Sequence, residues 1–389
     1  MHTSPERSAS GSRAVFVLCR RTPFGRLRGM YSQVPAHNLL APVLTAVIQD
    51  SGLAPREVND VIMGNAVGGG GNVARLAALT AGLPTGVPGL TVDRQCASGL
   101  DAIVLACRLV EAGAGSWFLA GGVESCSTAP LRAHRLTSAP GAPDFYSRAQ
   151  FAPENLGDPD AGQAAENVAA HHGINRAQQD AYALRSHART AASLHLMTPE
   201  IVPLEGFGRD QTARKGMTAH LLYRFPPAFD PEGSVTAGNS CADADGAVVA
   251  LVTSVDSARA AGVERGLVFG GSASTGGEPA RFGTAGALAV RILLGRMNLG
   301  PDDISRWEFN EAFAAQVLAS ARLMDVPPER LNLQGGALAY GHPYGASGAM
   351  LVANLLRQME GDDDGGWSVA AISAAGGVGT AAAFRAESL

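Results

Sequence analysis

The sequence has little charge and no long apolar run, and these two absences exclude several classes of protein. Charged residues make up 17% of its 389 residues, and the formal net charge is −5 at pH 7. So small a negative excess gives no general attraction to nucleic acid or to an anionic membrane surface. No apolar run approaches the ~18 residues of a transmembrane helix, and the N-terminus lacks the apolar core of a signal peptide. We therefore expect a cytoplasmic protein that binds neither membranes nor nucleic acid.

Cysteine pairs are also missing. The five cysteines are an odd number at irregular spacing, which does not indicate a disulfide framework in so long a chain. No Cys-x-x-Cys pair suggests a zinc site, so we expect no bound metal. Glycine, by contrast, is abundant, with 48 residues clustered at points such as 68–71, 335–336 and 376–379. Such clusters are typical of tight turns and of backbone that approaches a ligand closely.

Short apolar runs alternate with helical stretches, which is the pattern of an α/β fold. Strands are predicted at residues 14–19, 60–64, 89–92, 117–120, 247–253, 267–272, 306–309, 368–373 and 381–384. Helices are predicted at residues 36–51, 98–112, 164–171, 176–194, 286–297, 312–324 and 348–360. Residues 1–12 read as a disordered tail. Residues 125–235 lack strong β signals and are interpreted as an insertion laid over the α/β core.

Cys96 lies where a predicted strand runs directly into a predicted helix. The helix carries apolar residues at helical spacing, which indicates that it is buried along its length: Leu100, Ile103, Val104, Cys107 and Val110. At a helix start, free backbone N–H groups and the helix dipole favour a thiolate and can stabilise an oxyanion. The alternative is that Cys96 is a small buried apolar residue, as many free cysteines are. The local sequence does not decide between the two.

Three further segments combine polar residues with glycine. His342 lies among the five glycines of residues 335–348, an arrangement that suits backbone passing close to a substrate, and its imidazole could take a proton from a thiol. Asn310 and Glu311 open a helix after a strand, where they are either site residues or helix caps. Residues 372–379 end a strand in a glycine turn, which forms either an oxyanion nest or an ordinary turn.

Taken together, these segments resemble the signatures of the thiolase family. The residues that carry the resemblance are Asp-Arg-Gln-Cys96-Ala-Ser-Gly-Leu, Asn310-Glu-Ala-Phe-Ala and Gly-His342-Pro-Tyr-Gly-Ala-Ser-Gly, in this order. The resemblance runs from Arg21 almost to the C-terminus. It implies a five-layered α-β-α-β-α fold with two duplicated halves, residues 13–272 and 273–389, and an insertion at 125–235 that shapes a coenzyme A tunnel. It also implies a homodimer or a tetramer of dimers.

The resemblance assigns roles to individual residues. The Cys96 thiolate would attack an acyl-CoA to give an acyl-enzyme, with no bound cofactor and the coenzyme A thioester as substrate. His342 would activate the thiol and help to hold the thioester oxygen. Asn310 would position a water at that oxygen, and the amides of Cys96 and of the Ala375–Gly376 turn would bind the acyl-enzyme oxyanion.

Five positions concern the substrate tunnel, and a sixth departs from the family in the chemistry. Arg214 falls where the family places an arginine near the nucleotide, and Phe313 is expected at the substrate. Asp160 and Ala161 replace a family His-Met, and Cys241 replaces a serine that contacts pantetheine. Ser373 stands where the family carries a second, acid/base cysteine. A hydroxyl supplies no resting anion, so a Claisen condensation should slow by about 10²–10⁴-fold or more.

The sequence therefore predicts a thiolase-type acyl-CoA C-acyltransferase with an acyl-enzyme on Cys96. One alternative is that the acyl group passes to an acceptor other than coenzyme A, or that decarboxylation drives the condensation. Another is a catalytically silent subunit that binds coenzyme A. A ketosynthase ranks lower, because such enzymes have a second histidine where this chain has Asn310.

Overall fold

A computed structural model describes residues 12–134, 143–214, 216–359 and 365–389. Apart from Ser12, the predicted tail lies outside the described residues. The strands are β1 Ala14–Arg21, β2 Gly25–Arg26, β3 Asp60–Gly64, β4 Gly89–Val92, β5 Trp117–Ser125, β6 Arg132–His134, β7 Asp144–Tyr146, β8 Ala244–Ser254, β9 Arg265–Gly276, β10 Ile304–Phe309, β11 Trp367–Ala374 and β12 Val378–Ser388. The helices are α1 Ala36–Ser51, α2 Val73–Thr80, α3 Ser98–Glu111, α4 Ala161–His172, α5 Arg176–Met197, α6 Ala219–Tyr223, α7 Val255–Ala260, α8 Ala285–Met297, α9 Ala314–Met324, α10 Ala337–Tyr340 and α11 Tyr344–Met359.

Each predicted strand and helix is present, and three elements (α1, β3 and β4) have the predicted ends. The longer strands extend beyond their apolar runs, because antiparallel pairing continues through residues that are not apolar. Sequence reasoning missed helix α2 and the short hairpin of β6 and β7, which are short and lack an extended apolar period.

The main sheet consists of two halves with the same pairing pattern. In the first, β3 pairs parallel with β4 and β5, β5 pairs antiparallel with β8, and β8 antiparallel with β1. In the second, β10 pairs parallel with β11, β11 antiparallel with β12, and β12 antiparallel with β9. A parallel bridge between Trp307 and Leu331 takes the place of β4 in the second half. The halves join where β1 pairs with β9.

The helices form three layers around these two half-sheets. Helices α1 and α2 pack on the outer face of the first half, and α8 and α9 on the outer face of the second. Helices α3 and α11 lie between the halves in one apolar core. Alternate residues of a strand serve different layers, as Val61 faces α1 and Ile62 faces α3. The result is the five-layered α-β-α-β-α arrangement with duplicated halves that the sequence predicted.

The described residues between 126 and 235 leave this layered core and contain the hairpin and helices α4, α5 and α6. Their polar side chains reach back to the second half, since Arg185 and Arg189 of α5 bond the backbone around Pro328 and Leu331. In the described part of the chain, no helix has the length and apolarity needed to span a bilayer.

Candidate active site

Helices α3 and α11 occupy equivalent places in the two halves, and their first turns touch. A Cβ atom on Gly64 would lie 2.5 Å from the backbone nitrogen of Gly99 and 2.6 Å from the carbonyl oxygen of Gly345. Cys96 stands three residues before Gly99, and His342 stands three residues before Gly345. The backbone contact of the two helices therefore brings the predicted nucleophile and the predicted base to one place.

A strained turn places Cys96 at the start of α3. Gln95 has a φ angle of 51°, a left-handed conformation that costs a residue with a side chain about 1–2 kcal/mol. The turn is held by side chains, because Asp93 Oδ1 accepts from the Gln95 N–H at 2.8 Å and Ser98 Oγ accepts from the Arg94 N–H at 2.8 Å. Strain of this kind persists where the surroundings fix it, as they do here.

The Cys96 thiol is half-buried and keeps its proton at neutral pH. Burial raises its pKa to about 12, the charge of Glu124 adds to this, and so does that of Asp243. The backbone N–H groups of Cys96 itself and of Ala375 hydrogen-bond the sulfur and lower its pKa. The sequence led us to expect that the helix start would favour a thiolate. The two amides act in that direction, but burial and the two carboxylates outweigh them.

His342 is buried as a neutral imidazole next to Tyr344, and the charge of Cys96 reaches the Tyr344 phenol. Burial lowers its pKa from 6.5 to about 4. Its Nδ1 lies 2.6 Å from Ser347 Oγ, while Nε2 has no hydrogen-bond partner among the described residues. A buried polar atom without a partner is costly. Such an atom in a neutral imidazole can take the proton of a thiol or donate to a carbonyl oxygen.

The segment 239–243 connects the Asn310 block to the His342 loop. The N–H of Ala314 donates to Asn239, and that of Cys241 donates to the carbonyl of Ala312, both at 2.9 Å. At the other end, the His342 N–H donates to Ala242 at 2.8 Å. Cys241 lies close enough to Cys96 for the charge of Cys96 to raise the pKa of the Cys241 thiol, in addition to the effect of burial. The structure thus places the predicted residue 241 at the nucleophile.

Asn310 and Glu311 follow β10, and neither caps helix α9, which begins at Ala314. Asn310 is buried, and its N–H donates to the carbonyl of Ala371 at 3.0 Å. The Glu311 carboxylate accepts from Tyr182, Ser186 and Asn332 and from the N–H of Leu338. Glu311 therefore ties the loop that carries His342 to helix α5, which is an anchoring role and not the capping role that the sequence left open.

Ser373 and the turn after it differ in their availability to the sulfur. The Ser373 hydroxyl donates to the carbonyl of Gly283 at 2.7 Å and accepts from the N–H of Gly286 at 2.8 Å. Both of its hydrogen-bonding functions are thereby used within the protein. In the turn, Gly376 has a left-handed φ of 80°, and the N–H of Ala375 points to Cys96.

Of the remaining predicted residues, Arg214 lines a cavity and Phe313 is buried, whereas Asp160 and Ala161 lie at the surface. Arg214 lines a cavity of about 120 Å³ together with His187 and the backbone at Ser240 and Ala242. Phe313 is buried, and its ring lies 6.0 Å edge-on from that of Phe229.

Asp160 and Ala161 lie at the exposed start of α4, where the Asp160 carboxylate pairs with Arg148 at 2.5 Å. We expected these two residues to shape the substrate cavity. Instead, the Asp160 carboxylate lies at the surface, where it is exposed to solvent and paired with Arg148.

Sequence reasoning missed three polar residues of this site. Ser347 holds His342, and Asp243 and Tyr344 form a hydrogen-bonded pair of 2.5 Å beside the two thiols. A signal was present for each of them. Tyr344 and Ser347 stand in the glycine-rich segment of His342, and Asp243 is an acid two residues beyond Cys241.

Comparison with known proteins agrees with this arrangement. Family models described as the thiolase N-terminal domain and the thiolase C-terminal domain match residues 14–256 and 268–386. A relative from Staphylococcus haemolyticus, whose name assigns it provisionally as acetyl-CoA C-acetyltransferase VraB, is 42% identical over 96% of this chain and 98% of its own length. A Bacillus subtilis relative with the same provisional assignment, YhfS, is 42% identical over 96% and 99%. The crystal structure of the Bacillus anthracis acetyl-CoA acetyltransferase superposes with a TM-score of 0.91 at 31% identity, covering 98% of this chain and all of that one.

Proposed function

The chain belongs to the thiolase family, and we propose that it is an acyltransferase that takes an acyl group from coenzyme A onto Cys96. One observation carries the proposal: a half-buried thiol, hydrogen-bonded by two amides, lies at the helix start that contacts the helix of a buried, neutral histidine. A scaffold that only binds coenzyme A has no physical need for this combination.

The first half-reaction follows from these groups. His342 Nε2 takes the Cys96 proton, and the sulfur attacks the thioester carbonyl. The C–S bond to coenzyme A then breaks, and the His342 imidazolium gives its proton to the departing thiolate. The N–H groups of Cys96 and Ala375 donate to the oxyanion, where a fixed donor is worth about 10²–10³-fold in rate. Ser347 Oγ orients the imidazole through Nδ1 at 2.6 Å.

The second half-reaction is proposed to be attack by the enolate of a second acyl-CoA, or thiolysis of a 3-ketoacyl-CoA in reverse. The charges of Glu124 and Asp243 reach the sulfur. Asp243 is half-buried, and its charge disfavours a malonyl-type donor, whose own carboxylate would bring a second negative charge to the same space. This argues against condensation driven by decarboxylation.

A second candidate function is acyl transfer to an acceptor that needs no α-proton removal. The hydrogen bonds that occupy the Ser373 hydroxyl favour it, because that group is not free to act as a base. The test is thiolysis of acetoacetyl-CoA by the purified protein, with Cys96→Ser as control. Turnover that the substitution abolishes supports the first candidate. An acyl-enzyme without turnover on any 3-ketoacyl-CoA supports the second and contradicts the first.

We also propose that two copies of the chain associate through the edge of the sheet at β4. This strand ends the strand order, and Leu90 on it and Leu76 and Leu79 on the adjoining α2 are each more than 40% exposed. An open edge flanked by exposed leucines is a typical interface. Leu90→Lys should convert a dimer or tetramer to a monomer in light scattering, and an unchanged mass would count against this interface.

The five free thiols support a reducing, cytoplasmic compartment.

A further inference from the structure

A C–C bond-forming reaction at Cys96 needs a base for the α-proton, and Ser373 is not available for that role. Its hydroxyl proton is bound to the carbonyl of Gly283 and its oxygen to the N–H of Gly286. If the proposed condensation takes place, the base must therefore be another group beside the sulfur. The described groups whose charge bears on this region are Glu124, Cys126, Cys241, Asp243, Glu311 and Tyr344. Hydrogen bonds already occupy the Glu311 carboxylate, and burial raises the pKa of the Cys126 thiol and keeps it protonated.

Glu124 is buried, and hydrogen bonds occupy both of its carboxylate oxygens. Its side chain is inaccessible to solvent, and it accepts from the Asn65 side chain and from the N–H groups of Ala66, Val67 and Gly345. No lone pair on it faces a substrate space. Its position between the β3–α2 connection and the start of α11 is that of a structural anchor.

Cys241 and Tyr344 are held in their protonated forms. Burial raises the pKa of the Cys241 thiol, and the charges of Asp243 and Cys96 raise it further. Burial and the charge of Asp243 likewise raise the pKa of the Tyr344 phenol. Each is a proton donor at neutral pH and cannot supply a resting base.

Asp243 differs from these groups in geometry. It is half-buried, its backbone pairs with that of His342, and its Oδ1 accepts from Tyr344 Oη at 2.5 Å. In the part of the chain that the structure describes, no group donates a hydrogen bond to its Oδ2. The Tyr344 ring in turn stands edge-on to the His342 ring, with centroids 5.1 Å apart. The carboxylate is thus fixed through one oxygen and open at the other.

We propose that Asp243, positioned by Tyr344, is the base that removes the α-proton of the second acyl-CoA. This inference rests on the proposed acyl-enzyme. Asp243 takes the proton from the α-carbon, the C–H electron pair forms the enolate, and the α-carbon attacks the acyl carbonyl on Cys96. The C–S bond to Cys96 breaks, and the Cys96 thiolate takes the proton from Asp243. In the thiolysis direction the carboxylic acid of Asp243 protonates the departing enolate. Carboxylate bases perform such proton transfers in other enzymes.

Tyr344 is a positioning residue in this account. Its hydrogen bond holds Oδ1 of Asp243 and leaves Oδ2 free to take a proton. Tyr344→Phe should therefore lower kcat for condensation about 10-fold and leave KM unchanged, since the phenol hydroxyl is already committed to Asp243.

The proposal is tested by hydrogen exchange at the α-carbon of acetyl-CoA in D₂O, followed by mass spectrometry. The acyl-enzyme on Cys96 is measured in the same samples. Asp243→Asn should slow the exchange by about 10²–10⁴-fold, while acylation stays within about threefold of the wild type. Asp243→Glu should retain part of the exchange, and normal acylation shows that each variant is folded. Asp256→Asn is the matched control, because it makes the same change at an exposed carboxylate of α7, and it should exchange at the wild-type rate. Cys241→Ser removes the competing thiol and should retain exchange.

The outcomes separate this inference from the function on which it rests. Exchange that survives Asp243→Asn, or that is lost in Cys241→Ser, overturns the role of Asp243 and leaves the acyl-enzyme intact. A wild-type protein that acylates but shows no exchange also overturns it. A wild-type protein that forms no acyl adduct removes the proposed function itself.

Discussion

Gly99 and Gly345 are in backbone contact, and this contact sets the distance between Cys96 and His342. A Cβ atom on Gly99 would lie 2.6 Å from the carbonyl oxygen of Gly345, closer than a carbon atom can approach. Both glycines have ordinary φ angles, so the requirement is one of space and not of backbone conformation. Cys96 and His342 each precede their glycine by three residues, so separating the helices separates the two groups.

Gly99→Ala is therefore expected to reduce stability and activity together. Overpacking of this kind costs about 1–3 kcal/mol, and the displaced α3 should lower the rate of Cys96 acylation. Gly295→Ala is the control, because a Cβ there meets open space within α8 and should be neutral or stabilising. Thermal unfolding and the acylation rate measure the two effects. Full activity in Gly99→Ala would contradict the role of this contact.

Ser373→Ala should reduce stability but leave thiolysis within about threefold. The substitution leaves the carbonyl of Gly283 and the N–H of Gly286 without their shared partner, at a cost of about 1–3 kcal/mol. The measurement pairs an unfolding curve with turnover of acetoacetyl-CoA. A large loss of turnover at unchanged stability would mean that the hydroxyl takes part in the chemistry.

The strands and helices of the core could be predicted because each carries a clear apolar period. Cys96 and His342 could be identified because glycine and turn patterns mark the places where their helices begin. The contact between the helices could not be predicted from local patterns, since it joins residues 246 positions apart through glycines that many other folds would also use. The Asp243–Tyr344 bond and the commitment of Ser373 to Gly283 and Gly286 depend on the same tertiary packing.

The pH dependence of acylation should reflect a histidine that stays neutral in mild acid. Because burial lowers the pKa of His342 to about 4, its base form persists as the pH falls from 7 to about 5.5. The Cys96 pKa of about 12 keeps the thiol protonated over the same range. Stopped-flow acylation should therefore show no loss in this window. An ordinary histidine with a pKa of about 6.5 would lose about tenfold, and that result would contradict the burial effect.

Ser347→Ala serves as a companion to this pH measurement. It removes the only partner of His342 Nδ1 that the described residues provide. The acylation rate should fall at every pH, because the imidazole loses its fixed orientation, while the shape of the pH profile should change little.

Arg214→Ala should weaken the binding of acyl-CoA without changing the chemistry. The guanidinium lines the cavity of about 120 Å³ that adjoins Ser240 and Ala242, and no acidic partner in the described part of the chain neutralises it. Loss of a charged hydrogen bond worth about 1.5–3 kcal/mol should raise KM by roughly 10- to 100-fold at constant kcat.

Two controls test whether the rise in KM comes from a contact between Arg214 and the nucleotide. Arg209→Ala removes an exposed charge from the same loop and should leave KM unchanged. An acetyl thioester of N-acetylcysteamine lacks the nucleotide, so Arg214→Ala should not affect its reaction. An equal loss with both thioesters would place Arg214 at the reacting end instead.

Peptide mapping after brief exposure to acetyl-CoA shows whether Cys96 carries the acyl group. The protein is mixed with acetyl-CoA, quenched in acid, digested and measured by mass spectrometry. The account predicts one acetyl group on the peptide that contains Cys96, a much slower appearance of that peptide in His342→Ala, and none in Cys96→Ser. Unmodified Cys96 after exposure to several acyl-CoA thioesters, or acetylation of another cysteine in its place, would contradict it.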